Sequence, residues 1–321
     1  MAPGIGIGIG LGLSQRTRGG DMSVSLLLTS TGTGVGVSTL KLEVSEDITL
    51  TLDGTGKFYD DAGGTTNEGT SRTVTSGALR TFYLKVPSST SNLKFSDASK
   101  VTKIGSGATN GWTSTTNAAS MAGTNLRYCT NLTNLSAFGT NLTGDVSGWS
   151  ALVNLTYLRC GDTSVYGDVS GWSALVNLVN LFCYSTSVSG DVSGWSALVN
   201  LTVLRCDSTS VSGDVSGWSA LVNLTYLHCG STSITNIPHI GTVKYGTYKA
   251  GINTISTLKI DSFLSTGNTF FASNTPTANA TYDISGTGMG VPTGGASNTD
   301  LVAIVAAHTA VSKTCTFTIN T

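Results

Sequence analysis

The sequence predicts a mainly β protein: a parallel β-solenoid of about 23-residue coils, with a β-sandwich-like domain at its N-terminal end and a β-α-β cap at its C-terminal end. Three observations lead there. Trp149, Trp172, Trp195 and Trp218 recur at an interval of 23, and Cys160, Cys183, Cys206 and Cys229 keep the same interval. Gly, Ser and Thr abound while Pro is scarce (5 in 321 residues), a mixture that suits strands joined by tight turns. Outside the repeats, apolar and polar residues alternate with the period of a strand.

The repeat comes first because it fixes the rest. The unit from Ser150 to Trp172 reads SALVNLTYLRCGDTSVYGDVSGW, and the next, Ser173 to Trp195, reads SALVNLVNLFCYSTSVSGDVSGW. Side chains alternate along a strand, so one that turns Leu158 and Cys160 inward turns Arg159 outward. A single coil cannot bury its own apolar face. Coils therefore stack, with strands about 4.8 Å apart. Thr163, Thr186, Thr209 and Thr232 then form a ladder of hydroxyls suited to the turn backbone. Leu132, Leu135, Ala137, Thr140, Leu142, Gly144 and Val146 carry the frame one coil earlier. Tyr245, Tyr248, Ala250, Asn253 and Ile255 carry it, more loosely, one coil later. The solenoid is expected to span 106–262.

Leu155, Leu158, Cys160, Thr163, Val165, Gly167 and Val169 fall on the pattern L-x-x-L-x-L-x-x-N-x-L-x-G-x-I. The chain thus resembles the leucine-rich-repeat family in its longer form, with G-x-I after the strand. Cys stands at the third apolar position, Thr replaces the turn Asn, and Trp fills an apolar place on the convex side. The resemblance implies a display surface on the concave side. At whole-chain level the arm GIGIGIGLGLSQ, the segment ITLTLDGTGKFY and the ending TGGASNTDLVAIVAAHTA resemble leucine-rich-repeat proteins of bacteriophages infecting Bacteroidetes-type bacteria.

The flanks divide into three. Residues 1–22 form a Gly-rich arm with Ile5, Ile7, Ile9, Leu11 and Leu13 on alternate positions. Arg16 and Arg18 follow its apolar stretch instead of preceding it, which argues against a signal peptide. Ordering such an arm costs backbone entropy at every residue, so an ordered arm is expected to be anchored in an assembly. Residues 23–105 alternate at Ile48, Leu50 and Leu52 and again at Phe82, Leu84 and Val86, with a loop from Asp60 to Ser71; they are read as the β-rich N-terminal domain. Residues 263–321 hold a strand at Tyr282–Ile284, a helix presenting Leu301, Ile304, Val305 and His308 on one face, and a last strand at Phe317 and Ile319.

Charge and chemistry exclude several functions. Charged residues are 11% of the chain and the net charge is -1, so nucleic acid is not an expected partner. No apolar run reaches the ~20 residues of a membrane helix, so no membrane insertion is expected. Three His residues, 228, 239 and 308, assemble no evident Ser-His-Asp or Cys-His set, and no enzyme activity is expected. The Cys ladder allows disulfides or a soft metal, but Cys as a small apolar core residue is the simpler use. Asp145, Asp168, Asp191 and Asp214 recur in G-D-V-S-G turns, one carboxylate per coil. That is a poor calcium set and a good turn cap. Gly286, Gly288 and Gly290 lack the strand–loop–helix setting of a dinucleotide site. No cofactor or metal is expected.

Successive units differ at a few positions: Thr156/Val179/Thr202/Thr225, Tyr157/Asn180/Val203/Tyr226, Arg159/Phe182/Arg205/His228, Gly161/Tyr184/Asp207/Gly230 and Asp162/Ser185/Ser208/Ser231, with Tyr166 against Ser189 and Ser212. Most of these are expected on the strand, facing outward. Drift at tolerant surface positions explains variation, but aromatics and Arg at exposed strand positions favour binding. Tyr157, Arg159, Asn180, Phe182, Tyr184, Arg205, Asp207, Tyr226 and His228 are accordingly the expected ligand-binding residues. The expected role is a non-enzymatic virion structural protein (tail fibre, baseplate or capsid-surface appendage). It would hold other virion proteins through the arm, bind host-surface glycan or protein through the concave face, and form a homo-oligomer. A bacterial cell-surface adhesin is the alternative.

Overall fold

The computed structural model describes residues 24–29, 38–52, 56–60, 69–85, 90–106, 109–110, 112–114, 120–236, 247–249, 280–283, 305 and 315–318. Each regular coil has three sides. In the coil that begins at Leu155, a front strand Tyr157–Arg159 is followed by a back strand Ser164–Asp168 and a 3-10 turn Ser170–Ala174. The next two coils repeat this with Asn180–Phe182, Ser187–Asp191 and Ser193–Ala197, then Val203–Arg205, Ser210–Asp214 and Ser216–Ala220. The front strand Tyr226–His228 and the back strand Ser233–Thr235 follow. Leu158, Cys160, Val165, Val169 and Trp172 are fully buried, as are their counterparts in each following coil, so the inward phase expected of Leu158 and Cys160 holds.

The turns follow from the side chains at them. After each Cys the chain enters the left-handed region at Asp162, Ser185, Ser208 and Ser231, with φ of 52, 50, 55 and 55°. The next Thr closes the turn, and Thr163 Oγ1 donates to the Cys160 carbonyl at 2.6 Å. Further on, Asp168 Oδ1 accepts from the Ser170 backbone N–H at 2.8 Å, so the Asp row caps turns. Gly190 is required twice over. Its φ is +112°, and a Cβ there would collide with the Asp168 carboxylate of the coil before. Asn236 takes the same place in the last regular coil with φ 54°, an angle that Asn tolerates.

The Trp residues form a continuous internal stack. Ring centres of successive Trp149, Trp172, Trp195 and Trp218 lie 6.1, 6.3 and 6.3 Å apart, with planes within 7° of parallel. Each indole N–H of the regular coils reaches back to a Val carbonyl one coil earlier, as from Trp195 Nε1 to Val169 at 3.2 Å. The indole is thereby buried with its only polar atom satisfied.

The two sheets stack differently. On the front, Tyr157 pairs with Asn180 and Arg159 with Phe182, so like repeat positions stand side by side. On the back, Tyr166 pairs with Ser187, a slip of two residues per coil. Only the front sheet therefore presents rows in which each coil contributes the same position.

The N-terminal residues form two layers that run without a break into the solenoid. The front sheet continues from Asn134–Ser136 to the parallel strand Val101–Ser106, then to the antiparallel strands Ser38–Val44, Arg80–Lys85 and Lys57–Tyr59. The back sheet continues from Ser120–Ala122 to Val24–Thr29, Thr90–Phe95, Ile48–Leu52 and Ser71–Val74. Ile48, Leu50 and Leu52 are buried as their alternation predicts, while Val86 and residues 61–68 of the expected loop lie outside the described residues. The boundary expected at 105 falls inside a strand that already pairs with the first coil. The sandwich covers the end of the solenoid by sharing both of its sheets.

At the other end, Thr247–Lys249 pairs with Tyr226–His228 and sets Tyr248 beside Leu227, the place the frame gave it. Ala280–Asp283 and Cys315–Thr318 then add two more parallel strands to the front sheet. Of the expected helix only Val305 is described, and it is helical. The arm 1–22, with Ile5, Ile7, Ile9, Leu11 and Leu13, and Gly286–Gly290 lie outside the described residues.

Removing one ring from the Trp stack tests its contribution. Trp195→Ala is expected to lower the unfolding free energy by about 3–5 kcal/mol in urea denaturation. Ser210→Ala on the exposed back strand is expected to change it by less than about 0.5 kcal/mol.

Candidate binding face

Three outward rows cross the front sheet. Asn134, Tyr157, Asn180, Val203 and Tyr226 form the first, and Ser136, Arg159, Phe182, Arg205 and His228 the second. Just past the strand ends, Phe138, Gly161, Tyr184, Asp207 and Gly230 occupy the third. Tyr157, Arg159, Asn180, Phe182, Arg205, Tyr226 and His228 are half-buried, with their side chains on the outward face.

Tyr184 and Asp207 depart from expectation: both are buried, at 7% and 6% exposure. They do share the outward side, but neighbours cover them. The Tyr184 ring lies across Gly161, where a Cβ would stand 2.8 Å from the ring edge, and its centre is 5.9 Å from that of Phe138. The Arg205 guanidinium lies over the same ring, with its central carbon 3.4 Å from the ring centre. Asp207 lies under Arg205 and His228. Its Oδ1 accepts from Arg205 Nε at 2.8 Å and stands 3.1 Å from His228 Nδ1. The position expected to contact a ligand thus carries the supports of the face. Asp162, Ser185, Ser208 and Ser231 also leave the strand, since their left-handed backbone belongs to the turn.

Phe138 was missed by comparing only the regular units. Arg159 rests on it, with its guanidinium carbon 4.0 Å from the ring centre, and reaches Phe182 at 6.0 Å. The signal was in the sequence, because Phe138 lies two intervals of 23 before Tyr184. Tyr157 and Phe182 complete the cluster with ring centres 5.9 Å apart.

Electrostatics follow from partial burial. For Arg205, desolvation works against the cation, but the hydrogen bond and charge of Asp207 outweigh it and the net shift is upward. Partial burial raises the Tyr226 phenol, more than the nearby Arg205 lowers it. Tyr226 is therefore a neutral hydrogen-bonding group at neutral pH.

The other candidate chemistries resolve as structural. Burial pushes the Cys160 and Cys129 thiols up to about 12, and raises Cys183, Cys206 and Cys229 as well. Such thiols are neutral and poor nucleophiles. Beside the Asp207–His228 pair, Cys229 points to the opposite face and is fully buried. Among the described residues, no group of three or more His, Cys, Asp or Glu stands in an arrangement that holds a metal. Asn177 Nδ2 donates to the Val153 carbonyl of the coil before at 2.9 Å, and Asn154, Asn200 and Asn223 make the equivalent bond in their coils. Among the described residues no helix is long and apolar enough to cross a membrane. His239 and His308 lie outside the described residues.

The fold is that of a leucine-rich-repeat solenoid. No protein-family model matches the chain, and no curated protein matches it. Solved structures do. A TDR receptor is 23% identical with a TM-score of 0.45, the match covering 61% of this chain and 32% of the receptor. The leucine-rich-repeat ectodomain of the receptor kinase GASSHO1/SCHENGEN3 from Arabidopsis thaliana, solved with CASPARIAN STRIP INTEGRITY FACTOR 2, is 15% identical with a TM-score of 0.41, covering 60% of this chain and 22% of that one. A plant ice-binding protein is 15% identical with a TM-score of 0.35, covering 43% and 47%. The chain spans a third or less of the two receptors' lengths.

Thiol state offers a check on the core. A disulfide-forming aromatic reagent at pH 8 is expected to leave the buried Cys residues of the folded protein unmodified and to label them on denaturation. Stability has a matching pH dependence. Cys160 keeps its proton in the fold up to about 12, whereas its ordinary value is 9.0. The unfolded chain therefore gains by ionising first. Stability is full below pH 9.0 and is expected to fall as pH rises from there toward 12, read from the urea midpoint.

Proposed function

We propose that the chain is a non-catalytic recognition protein whose front sheet displays Tyr157, Arg159, Asn180, Phe182, Arg205, Tyr226 and His228 to a ligand, with Phe138, Tyr184 and Asp207 holding that display in shape. One observation carries the reading. The coils are nearly identical at buried positions, yet where they differ on the front face the differing side chains interlock across coils into one aromatic and Arg cluster. Unselected variation gives side chains without mutual fit. Here Gly161 is small where Tyr184 crosses it, and Asp207 meets both Arg205 and His228. Clustered aromatics and Arg in a partly desolvated centre are the make-up of binding hot spots.

The same reading extends to the setting. The chain is a structural protein of a bacteriophage virion, in a tail fibre, baseplate or capsid-surface appendage, and its face binds host-surface glycan or protein. Its arm, through Ile5, Ile7, Ile9, Leu11 and Leu13, seats in other virion proteins or in further copies of the chain. The three flanking segments that resemble phage leucine-rich-repeat proteins support this. Capsid and portal genes beside its gene are the expected finding. A secretion locus there would assign the same face to a bacterial adhesin.

Substitution separates binding from support. Tyr157→Ala with Phe182→Ala is expected to abolish adsorption to host cells while the unfolding free energy changes by no more than about 1 kcal/mol. Tyr184→Ala removes a buried ring and is expected to cost about 3–5 kcal/mol. If Tyr157→Ala with Phe182→Ala binds cells as the parent does, the front face is not the recognition surface.

A further inference from the structure

Two Arg residues in the second row lie over aromatic rings. Arg159 stacks on Phe138 and Arg205 on Tyr184, at 4.0 and 3.4 Å from the ring centres. A guanidinium resting on a ring loses little freedom when its N–H fork takes a carboxylate through two parallel hydrogen bonds, and the Arg205 side chain keeps 31% of its surface exposed. Register sets their spacing. Arg159 pairs with Phe182, and Phe182 with Arg205. The two forks are therefore two strand spacings, about 9.6 Å, apart.

The face is cationic by construction. Arg159 makes no salt bridge among the described residues, and Arg205 gives Asp207 only its Nε. The Asp207 side chain is 8% exposed, so it steadies Arg205 and His228 without offering an anion to an approaching ligand. From Asn134 to His228 the outward positions of the front strands carry no Asp or Glu. Between the two forks stands the Phe182 ring, tilted against Tyr157.

We propose that this row binds a carboxylate-bearing polysaccharide, with acid groups on Arg159 and Arg205 and the sugar between them lying on Phe182. The proposal rests on the front face being the recognition surface and names the class of its ligand. The separation of the forks is close to the advance of an extended polysaccharide over two sugars, so acid groups on alternate sugars meet both. The aromatic between them offers its face to the C–H face of a sugar ring. An acidic peptide fits less well. Its strongest mode on a sheet is to add a strand, and each front strand from Asn180–Phe182 to Val203–Arg205 is already paired on both edges.

Affinity electrophoresis of the full chain tests this, in gels containing polygalacturonate, its methyl ester, dextran sulfate or poly-L-glutamate. Retardation is expected with polygalacturonate alone, weakened at least tenfold by Arg159→Gln without a change in melting temperature, and weakened as much by Arg205→Gln, which is expected also to lower the melting temperature because buried Asp207 loses its cation. Arg159→Lys is expected to recover only part of it, because an ammonium keeps the charge and loses the fork. Equal retardation by the methyl ester, by dextran sulfate or by poly-L-glutamate overturns the proposal, as does none by polygalacturonate. If Phe182→Ala still abolishes adsorption to cells, that failure falls on the acidic-polysaccharide class alone. If Phe182→Ala leaves adsorption intact, the front-face reading falls with it.

Discussion

Everything in this molecule depends on coils lying over one another in register on the front side. Leu158 beside Leu181 beside Leu204 beside Leu227 is a single apolar column made by parallel pairing, and each member is fully buried. No coil could hold that burial alone, since an isolated three-residue strand has nothing to pack on. Once the column forms, the 23-residue interval places every other residue. The Trp stack fills the opposite side, the Thr and Asp turns close the corners, and Asn177 and its equivalents reach from coil to coil. The outward rows are the other side of the same pairing, which is why a binding face can be built from one residue per coil.

Much of this was legible because it is periodic. The inward phase of Leu158 and Cys160, the capping by Thr163 and Asp168 and the earlier coil at Leu135 all follow from an interval of 23 and a side-chain period of two. What the interval could not show is how neighbouring coils fit where they differ. Tyr184 reads as an outward aromatic, and its ring in fact lies across Gly161 in the coil before. Asp207 reads as an exposed acid and is covered by Arg205 and His228. Contacts of that kind depend on pairs of positions in different coils, and pattern matching treats each position separately. The two-residue slip of the back sheet escaped for the same reason: it is a property of pairing, invisible in either strand. The continuity of both sheets into the N-terminal layers was also hidden, because antiparallel strands there follow no repeat.

The difference between front and back bears on function. With the slip, a row on the back sheet mixes repeat positions, so Asp145 stands by Tyr166 and Tyr166 by Ser187. Within the coils its outward residues are Ser, Thr and Asp apart from Tyr166, and its regular Asp groups are occupied with turn N–H groups. The front sheet has the opposite character: aligned positions, large side chains and cations stacked on rings. Register alone thus gives the two faces of one repeat a different make-up, one closing turns and the other setting large side chains side by side.

Repeat proteins are often treated as sums of nearest-neighbour units, exchangeable in order. The buried part of this solenoid fits that description, since Leu, Val, Cys and Trp positions are the same in each regular coil. Its front face does not. Tyr184 needs the coil before it to carry Gly at position 161, and Arg205 needs Tyr184 beneath it and Asp207 beside it. His228 leans on Asp207 from the coil beyond. Exchanging two coils would preserve the repeated Leu, Val, Cys and Trp contacts and break the fit of the front face, because the covered Tyr184 ring would meet a side chain where it now meets glycine. The order of the coils is therefore information, and it is stored in the front face and its supports, not in the repeated apolar core. The repeated core is indifferent to that order; the fit of Tyr184 on Gly161 and of Asp207 under Arg205 and His228 is what fixes it.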